Sequence, residues 1–148
     1  MAAATQGDGR HLRQVLLLLQ RIKRALFEHL VTKLGESEAS RILAAARNGV
    51  EYFSRRRPIQ RMDRRTAPGL EGDPREGRKW QKVLNEGRTP INRLVALGYI
   101  LYLVRSNLVH GSKMDAGDDQ EIIEAAVRPM EELVASAISF TEAGLMGG

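Results

Sequence analysis

Apolar residues recur at intervals of three and four along the first third of the chain, which is the spacing of one face of an α-helix. This spacing predicts a first helix over His11–Leu34, ended by Gly35, because glycine readily adopts the backbone conformation that closes a helix. Residues 15–19 are apolar all round the helix, so we expect this helix to contact two neighbours. A second helix is predicted from Ser37, whose hydroxyl is placed to cap it, to about Arg56.

Two further long helices are predicted in the second half of the chain. Thr89 and Pro90 place a capping hydroxyl before a proline at the first helical position, and this third helix extends to about Val109. Its apolar residues cover all sides, which is typical of a helix at the centre of a bundle or of one that is also buried between subunits. A fourth helix, bent at Pro129, is predicted from Asp118 to about Thr141. The chain is therefore predicted to be a single all-α domain over residues 1–148, folded as a four- to five-helix up-and-down bundle.

The helical pattern stops between residues 57 and 78, where prolines and glycines accumulate without apolar periodicity. A flexible loop is predicted there, followed by a short amphipathic piece at Lys79–Asn85. Six arginines lie within eleven residues around the start of this loop, and Asp63 is the one acidic residue among them. The arginines are Arg55, Arg56, Arg57, Arg61, Arg64 and Arg65. Such a cluster favours contact with the phosphate backbone of a nucleic acid. Alternatively, the loop is simply solvated, or it binds an acidic partner. Tyr52, Phe53 and Trp80 are predicted to be core residues rather than platforms for stacked bases.

Charge is distributed unevenly along the chain, whose net charge is +5. Residues 1–114 have a net charge of +12 and residues 115–148 one of −7. This division favours binding to a polyanion, or alternatively packing of an acidic last helix beside basic ones. The absence of cysteine excludes disulfides and zinc–thiolate sites, and three scattered histidines offer no cluster of metal ligands.

The sequence also predicts the location of the protein. No signal peptide is visible at the N-terminus. The longest apolar run, 11 residues from Leu94 to Val104, is shorter than the roughly 18 residues that cross a membrane. We therefore expect a soluble cytoplasmic protein without a metal or cofactor.

An arginine and a histidine, Arg105 and His110, end the most apolar helix. Helical spacing puts Arg105 on the same apolar side as Leu94, Gly98 and Leu101, so it is predicted to be buried and its guanidinium to need a partner. Glu124 or free carbonyl groups are one alternative, and a phosphate is the other. Positions 105 and 110 lie about 140° apart around an ideal helix and about 7.5 Å apart along it. The two side chains meet only if the last turn of the helix opens at Gly111, or if two copies of the helix come together so that each copy completes the Arg–His pair of the other.

The stretch Arg105-Ser106-Asn107-Leu108-Val109-His110-Gly111 resembles the signature of the HEPN superfamily. In that signature an arginine is followed by four to six residues, the first of them polar, and then by a histidine. Ser106 occupies the polar position, where Asn, Asp or His is commoner, and the Asn-Leu-Val-His-Gly continuation is similar to many small stand-alone members. The helix order over about residues 10–141 supports the resemblance.

The resemblance implies a homodimeric, metal-independent endoribonuclease of toxin or antiviral-defence type, with RNA as substrate and a cognate antitoxin as a further partner. Arg105 is then expected to hold the scissile phosphate, and His110 to move protons between the 2′-hydroxyl, the phosphate and the leaving 5′-oxygen. Ser106 and Asn107 are expected to orient these groups. The 2′-hydroxyl is the nucleophile, so RNA is cut and a 2′,3′-cyclic phosphate remains. The six arginines and Lys113 are expected to contact the RNA.

The chain departs from the family pattern in one further respect. Members that are silenced by nucleotide transfer carry a tyrosine two residues after the histidine, and this chain has Ser112 there. Some members have lost catalysis, and Ser106 is not the commonest residue at its position. The alternative hypothesis is therefore a catalytically inactive helical module that binds RNA or a protein.

Overall fold

The computed structural model describes the backbone of residues 2–55, 76–110 and 116–146. Within these ranges it describes all side chains except those of residues 2–11, 13, 16, 17, 20, 76, 106–110, 116–119, 145 and 146. The described residues form five helices and no strand, which confirms the predicted all-α bundle. The helices are α1 (Ala2–Ala45), α2 (Arg47–Phe53), α3 (Glu76–Glu86), α4 (Pro90–His110) and α5 (Ala116–Met146).

The predicted break at Gly35 is confirmed, because its φ of 90° and ψ of 169° lie outside the helical range. Helical structure resumes directly afterwards, and in the described part of the chain the Ser37 hydroxyl makes no hydrogen bond. The predicted helix from Ser37 to Arg56 is wrong in detail, since a turn at Ala46 divides it and α2 ends at Phe53. The first helix begins at Ala2 rather than His11, although Gly7 and Gly9 lie in the added segment and glycine has a low helix propensity.

α4 lies at the centre of the bundle and packs against α1, α3 and α5. Leu94, Leu97 and Ile100 on this helix are completely buried within one protomer. This burial confirms the prediction that α4 lies at the centre of the bundle. Its observed start and end, Pro90 and His110, agree with the prediction to one residue.

Two acceptors fix the N-terminus of α4. The Thr89 hydroxyl accepts a hydrogen bond from the Asn92 N–H at 3.1 Å, as predicted. The Glu36 carboxylate of α1 accepts one from the Ile91 N–H at 3.2 Å. A carboxylate is stabilising here because it satisfies a free amide and lies at the positive end of the helix dipole.

α5 packs against α1, α2 and α4 and is longer at both ends than the predicted Asp118–Thr141. Pro129 lies inside this helix and is buried, and the helix continues through it, so the bend proposed there stays a prediction. Because proline has no N–H, the Ala125 carbonyl lacks its usual helical donor. Gly49 of α2 lies against that carbonyl and the Pro129 ring, in a space that a larger residue would overfill.

The segment predicted as a loop over residues 57–78 is described only at its end. Residues 76–78 are helical, since α3 begins at Glu76 rather than at Lys79, and residues 57–75 lie outside the described residues. The three nearby aromatic residues are core residues, as predicted. Phe53 is completely buried, while Tyr52 and Trp80 are half-buried against the core.

Two rows of apolar side chains are exposed. The α1 stripe is between 39% and 64% exposed and consists of Leu12, Val15, Leu18, Leu19, Ile22 and Leu26. The α5 stripe is between 42% and 53% exposed and consists of Ile123, Val127, Met130, Val134 and Ile138. The first helix does contact the two neighbours predicted for it, α4 and α5, although its described side chains at positions 15, 18 and 19 are exposed.

Candidate functional site

Arg105 lies at the edge of an apolar cleft of about 310 Å³ between α1, α4 and α5. Phe27 and Leu30 line it from α1, Leu101 from α4, and Met130 and Val134 from α5. Apart from Arg105, every described residue around the cleft is apolar, glycine or tyrosine. The cleft thus combines a hydrophobic surface with a single guanidinium.

The predicted burial of Arg105 is wrong, because the residue is exposed. Helical spacing correctly puts it beside Gly98 and Leu101, which share the cleft, but the cleft is open to solvent at this point. Among the described residues Arg105 forms no ion pair, and Glu124 instead accepts a hydrogen bond from Gln120 at 3.1 Å. An exposed guanidinium retains its hydration and remains accessible to an anion from solution.

The contact between Phe27 and Gly98 sets how closely α1 approaches α4. A Cβ atom at position 98 would overlap the Phe27 ring, so glycine is required for this approach. Both residues also border a second cavity of about 210 Å³, together with Lys23, Arg24 and Tyr99. Tyr99 donates a hydrogen bond to the Glu28 carboxylate at 2.6 Å, and its ring lies 4.3 Å from that of Trp80. The helix that carries Arg105 is therefore packed closely against α1 one to two turns before Arg105.

The other motif residues are described by their backbone alone. Ser106, Asn107 and His110 belong to α4, which is helical as far as His110. Their side chains lie outside the described residues. Because the helix is continuous, positions 105 and 110 lie about 140° apart around its axis. One helix therefore does not present both residues on one face, which leaves the pairing of two copies as the simpler of the two predicted arrangements.

The predicted RNA-binding residues are described at one position only. Arg55 follows α2 and is exposed, whereas Arg56, Arg57, Arg61, Arg64, Arg65 and Lys113 lie outside the described residues. The Gln81 side chain of α3 donates hydrogen bonds to the carbonyls of Phe53 and Arg55. Asn85 donates one to the Ser54 carbonyl at 3.3 Å. These amides fix the start of the arginine-rich segment against α3.

An ion-pair network that the sequence pattern did not predict joins α1 to α5. Arg41 contacts the Glu38 carboxylate at 2.7 Å and that of Glu132 at 3.0 Å. Ser136, which is buried, donates a hydrogen bond to Glu38 at 2.8 Å. The hydrogen bonds from Arg41 and then from Ser136 lower the pKa of Glu38 below its ordinary value. The acidic last helix thus packs partly against a basic residue of α1, which is one of the two alternatives raised by the charge distribution.

Neither a metal site nor a membrane-spanning helix is found in the parts of the chain that the structure describes. Comparisons with protein-family models, with curated proteins and with solved structures gave no match. Only the motif and the helix order therefore support the resemblance to the HEPN superfamily.

Proposed function

We propose that this protein is a metal-independent endoribonuclease of toxin or antiviral-defence type, with a composite active site formed by two copies of the chain. The observation that carries the proposal is the arginine of the motif. Arg105 is exposed beside an open cleft, forms no ion pair with a described residue, and belongs to the same continuous helix as His110. An exposed guanidinium that has no carboxylate partner among the described residues can bind a phosphate through its planar set of N–H donors.

The chemistry assigned to the two residues follows from their side chains. Arg105 binds the non-bridging oxygens of the scissile phosphate and stabilises the charge that develops on them. His110 has a side chain whose reference pKa of about 6.5 suits proton transfer near neutral pH. It takes the proton of the 2′-hydroxyl or gives one to the leaving 5′-oxygen. Ser106 and Asn107 orient these groups in the proposal.

Binding of the RNA backbone is assigned to the basic segment that starts at Arg55. The side chains of Gln81 and Asn85 anchor this start, and Lys79 and Lys82 on the adjacent α3 are exposed. Because each phosphate contact releases counterions, affinity for single-stranded RNA is expected to fall with salt, with a logarithmic slope of about −0.7 per contact. Lys113 and the arginines from Arg56 to Arg65 complete the proposed surface.

Cleavage of single-stranded RNA in the presence of EDTA tests the proposal. Arg105→Ala and His110→Ala should each abolish cleavage, and the products of the unmodified protein should end in a 2′,3′-cyclic phosphate. An RNA methylated on the 2′-oxygen should resist cleavage, because the nucleophile is blocked. Arg47→Ala is the matched control, since Arg47 is an exposed arginine paired with Glu51 and lies on another helix. Cleavage that survives both active-site substitutions, or that stops on addition of the chelator, contradicts the proposal.

The second candidate is a catalytically inactive module that binds RNA or a protein partner. The substitution of serine at position 106 and the exposed apolar stripes favour it. Its signature is salt-sensitive RNA binding without cleavage, measured by fluorescence anisotropy with the same RNA. If substitution of Arg55, Arg56 and Arg57 abolishes RNA binding, and the RNA stays intact in every sample, the protein is a binding module and not a ribonuclease.

A further inference from the structure

The α1 stripe has the spacing of a helix that packs against another helix along its length. Leu12, Val15, Leu19, Ile22 and Leu26 follow one another at alternating intervals of three and four. This is the seven-residue repeat of coiled coils, in which two such positions per repeat fill holes on a partner helix. Each of these side chains is at least 39% exposed, so the described residues of the same protomer do not cover them.

The α5 stripe has the same repeat. Ile123, Val127, Met130 and Val134 follow at intervals of four, three and four. Met130 and Val134 also line the cleft beside Arg105, and Leu30, which lies one turn after Leu26, lines it from α1. The two stripes therefore reach the same cleft from its two sides. Together the two stripes contribute eleven large apolar side chains to the surface of one protomer.

The two stripes differ in charge, and the difference is complementary. The sequence from residue 9 to residue 27 contains five basic residues and no acidic one. Around the α5 stripe, residues 118–142 contain seven acidic residues and only Arg128 as a basic one. Two α1 stripes packed on each other would bring like charges together, and so would two α5 stripes. An α1 stripe packed on an α5 stripe brings opposite charges together.

We infer that a second copy of this chain covers the two stripes, with the α1 stripe of each protomer packed against the α5 stripe of its partner. In a two-fold dimer the same contact is made twice, so one chain that carries both complementary surfaces satisfies both. The arrangement differs from a dimer across α4, whose apolar side chains are already buried within one protomer. It brings the partner against the cleft beside Arg105, because Met130 and Val134 of the α5 stripe line that cleft. The inference refines the partner named in the proposed function, but its test measures assembly alone.

Sedimentation velocity of the full chain at tens of micromolar tests this assembly. The unmodified chain should sediment as a dimer. Leu19→Glu with Ile22→Glu, and separately Val127→Glu with Val134→Glu, should each give a monomer with unchanged helical circular dichroism. Ala44→Glu and Ser139→Glu are the controls, since both residues are exposed and lie outside the stripes, and these variants should remain dimeric.

Charge reversal tests which stripe meets which. Protein with Arg21→Glu and Lys23→Glu should be monomeric, and so should protein with Glu124→Lys and Glu131→Lys. Mixed in equal amounts, the two should form a dimer, because a heterodimer pairs reversed α1 with reversed α5 and unmodified α1 with unmodified α5. In a dimer that packs α1 on α1, reversal on α5 would leave the assembly unchanged, and that result overturns the inference.

Two further results also overturn it: a monomeric unmodified chain, and a dimer that survives substitution of either stripe. Its failure is distinguishable from failure of the proposed function. A monomer that cleaves RNA through Arg105 and His110 refutes the interface and keeps the ribonuclease. A dimer that responds to charge reversal as expected but leaves RNA intact supports the interface and refutes the ribonuclease.

Discussion

Replacement of Gly49 by alanine is expected to destabilise the protein, although alanine is the better helix former. In an exposed helix this exchange stabilises by up to about 1 kcal/mol. At position 49 a Cβ atom would lie 2.5 Å from the Ala125 carbonyl oxygen and 2.6 Å from Cγ of Pro129. Both neighbours are rigid, one being backbone and the other a buried ring, so α2 must move away from α5. Overfilling of a packed site costs about 1–3 kcal/mol, and we expect a net loss of about 1–2 kcal/mol.

The measurement is the free energy of unfolding from urea titration, together with the melting temperature. For a chain of this length the loss corresponds to a decrease in melting temperature of about 2–8 °C, at about 2–4 °C per kcal/mol. Gly144→Ala is the matched control, because this glycine also lies in a helix and a Cβ atom there meets nothing within 4 Å. The free energy of unfolding of this control should be unchanged or higher by several tenths of a kcal/mol, and by about 1 kcal/mol at most. If Gly49→Ala stabilises the protein as the control does, α2 is not seated against Pro129 and the position of α5 is wrong.

Three further predictions test contacts between the helices. The hydrogen bonds of Glu38 lower its pKa, so its carboxylate stabilises the fold at pH values above the ordinary value of 4.5, and this contribution is lost as the pH falls through the lowered pKa. Urea titrations between pH 7 and pH 3 should therefore show a shallower loss of stability for Glu38→Gln, and an unchanged slope would contradict the network. Gly98→Ala should lower the free energy of unfolding by about 1–2 kcal/mol. Phe27→Leu should cost less stability in the Gly98→Ala variant than in the unmodified protein, because it removes the ring that the new Cβ meets. If the two losses of stability simply add, this contact is contradicted. Tyr99→Phe should cost about 1 kcal/mol by loss of the hydrogen bond to Glu28, whereas no change in thermal unfolding would indicate that water replaces this bond fully.

The sequence predicted the features that depend on neighbouring residues. The break at Gly35 and the start of α4 at Thr89-Pro90 follow from local backbone chemistry, and both are confirmed. The contribution of Glu36 to the N-terminus of α4 was not predictable, since the two residues meet only after the chain has folded over a separation of 55 positions. The exposure of Arg105 was missed for a related reason. Helical spacing gives the side of α4 on which a residue lies, but not the distance to the next helix on that side.

The burial of α4 explains how the candidate site and the exposed stripes belong together. The apolar residues of α4 before Arg105 are buried against other helices of the same protomer, so this helix leaves little apolar surface with which to bind a partner. The partner must then be bound by other helices, and the apolar surface of α1 and α5 borders the same cleft as Arg105. Since positions 105 and 110 point to different sides of one helix, a site that uses both gains its second half from a neighbour. In the proposed dimer, a second copy held by the two stripes would supply that neighbour without disturbing the helix that carries the motif.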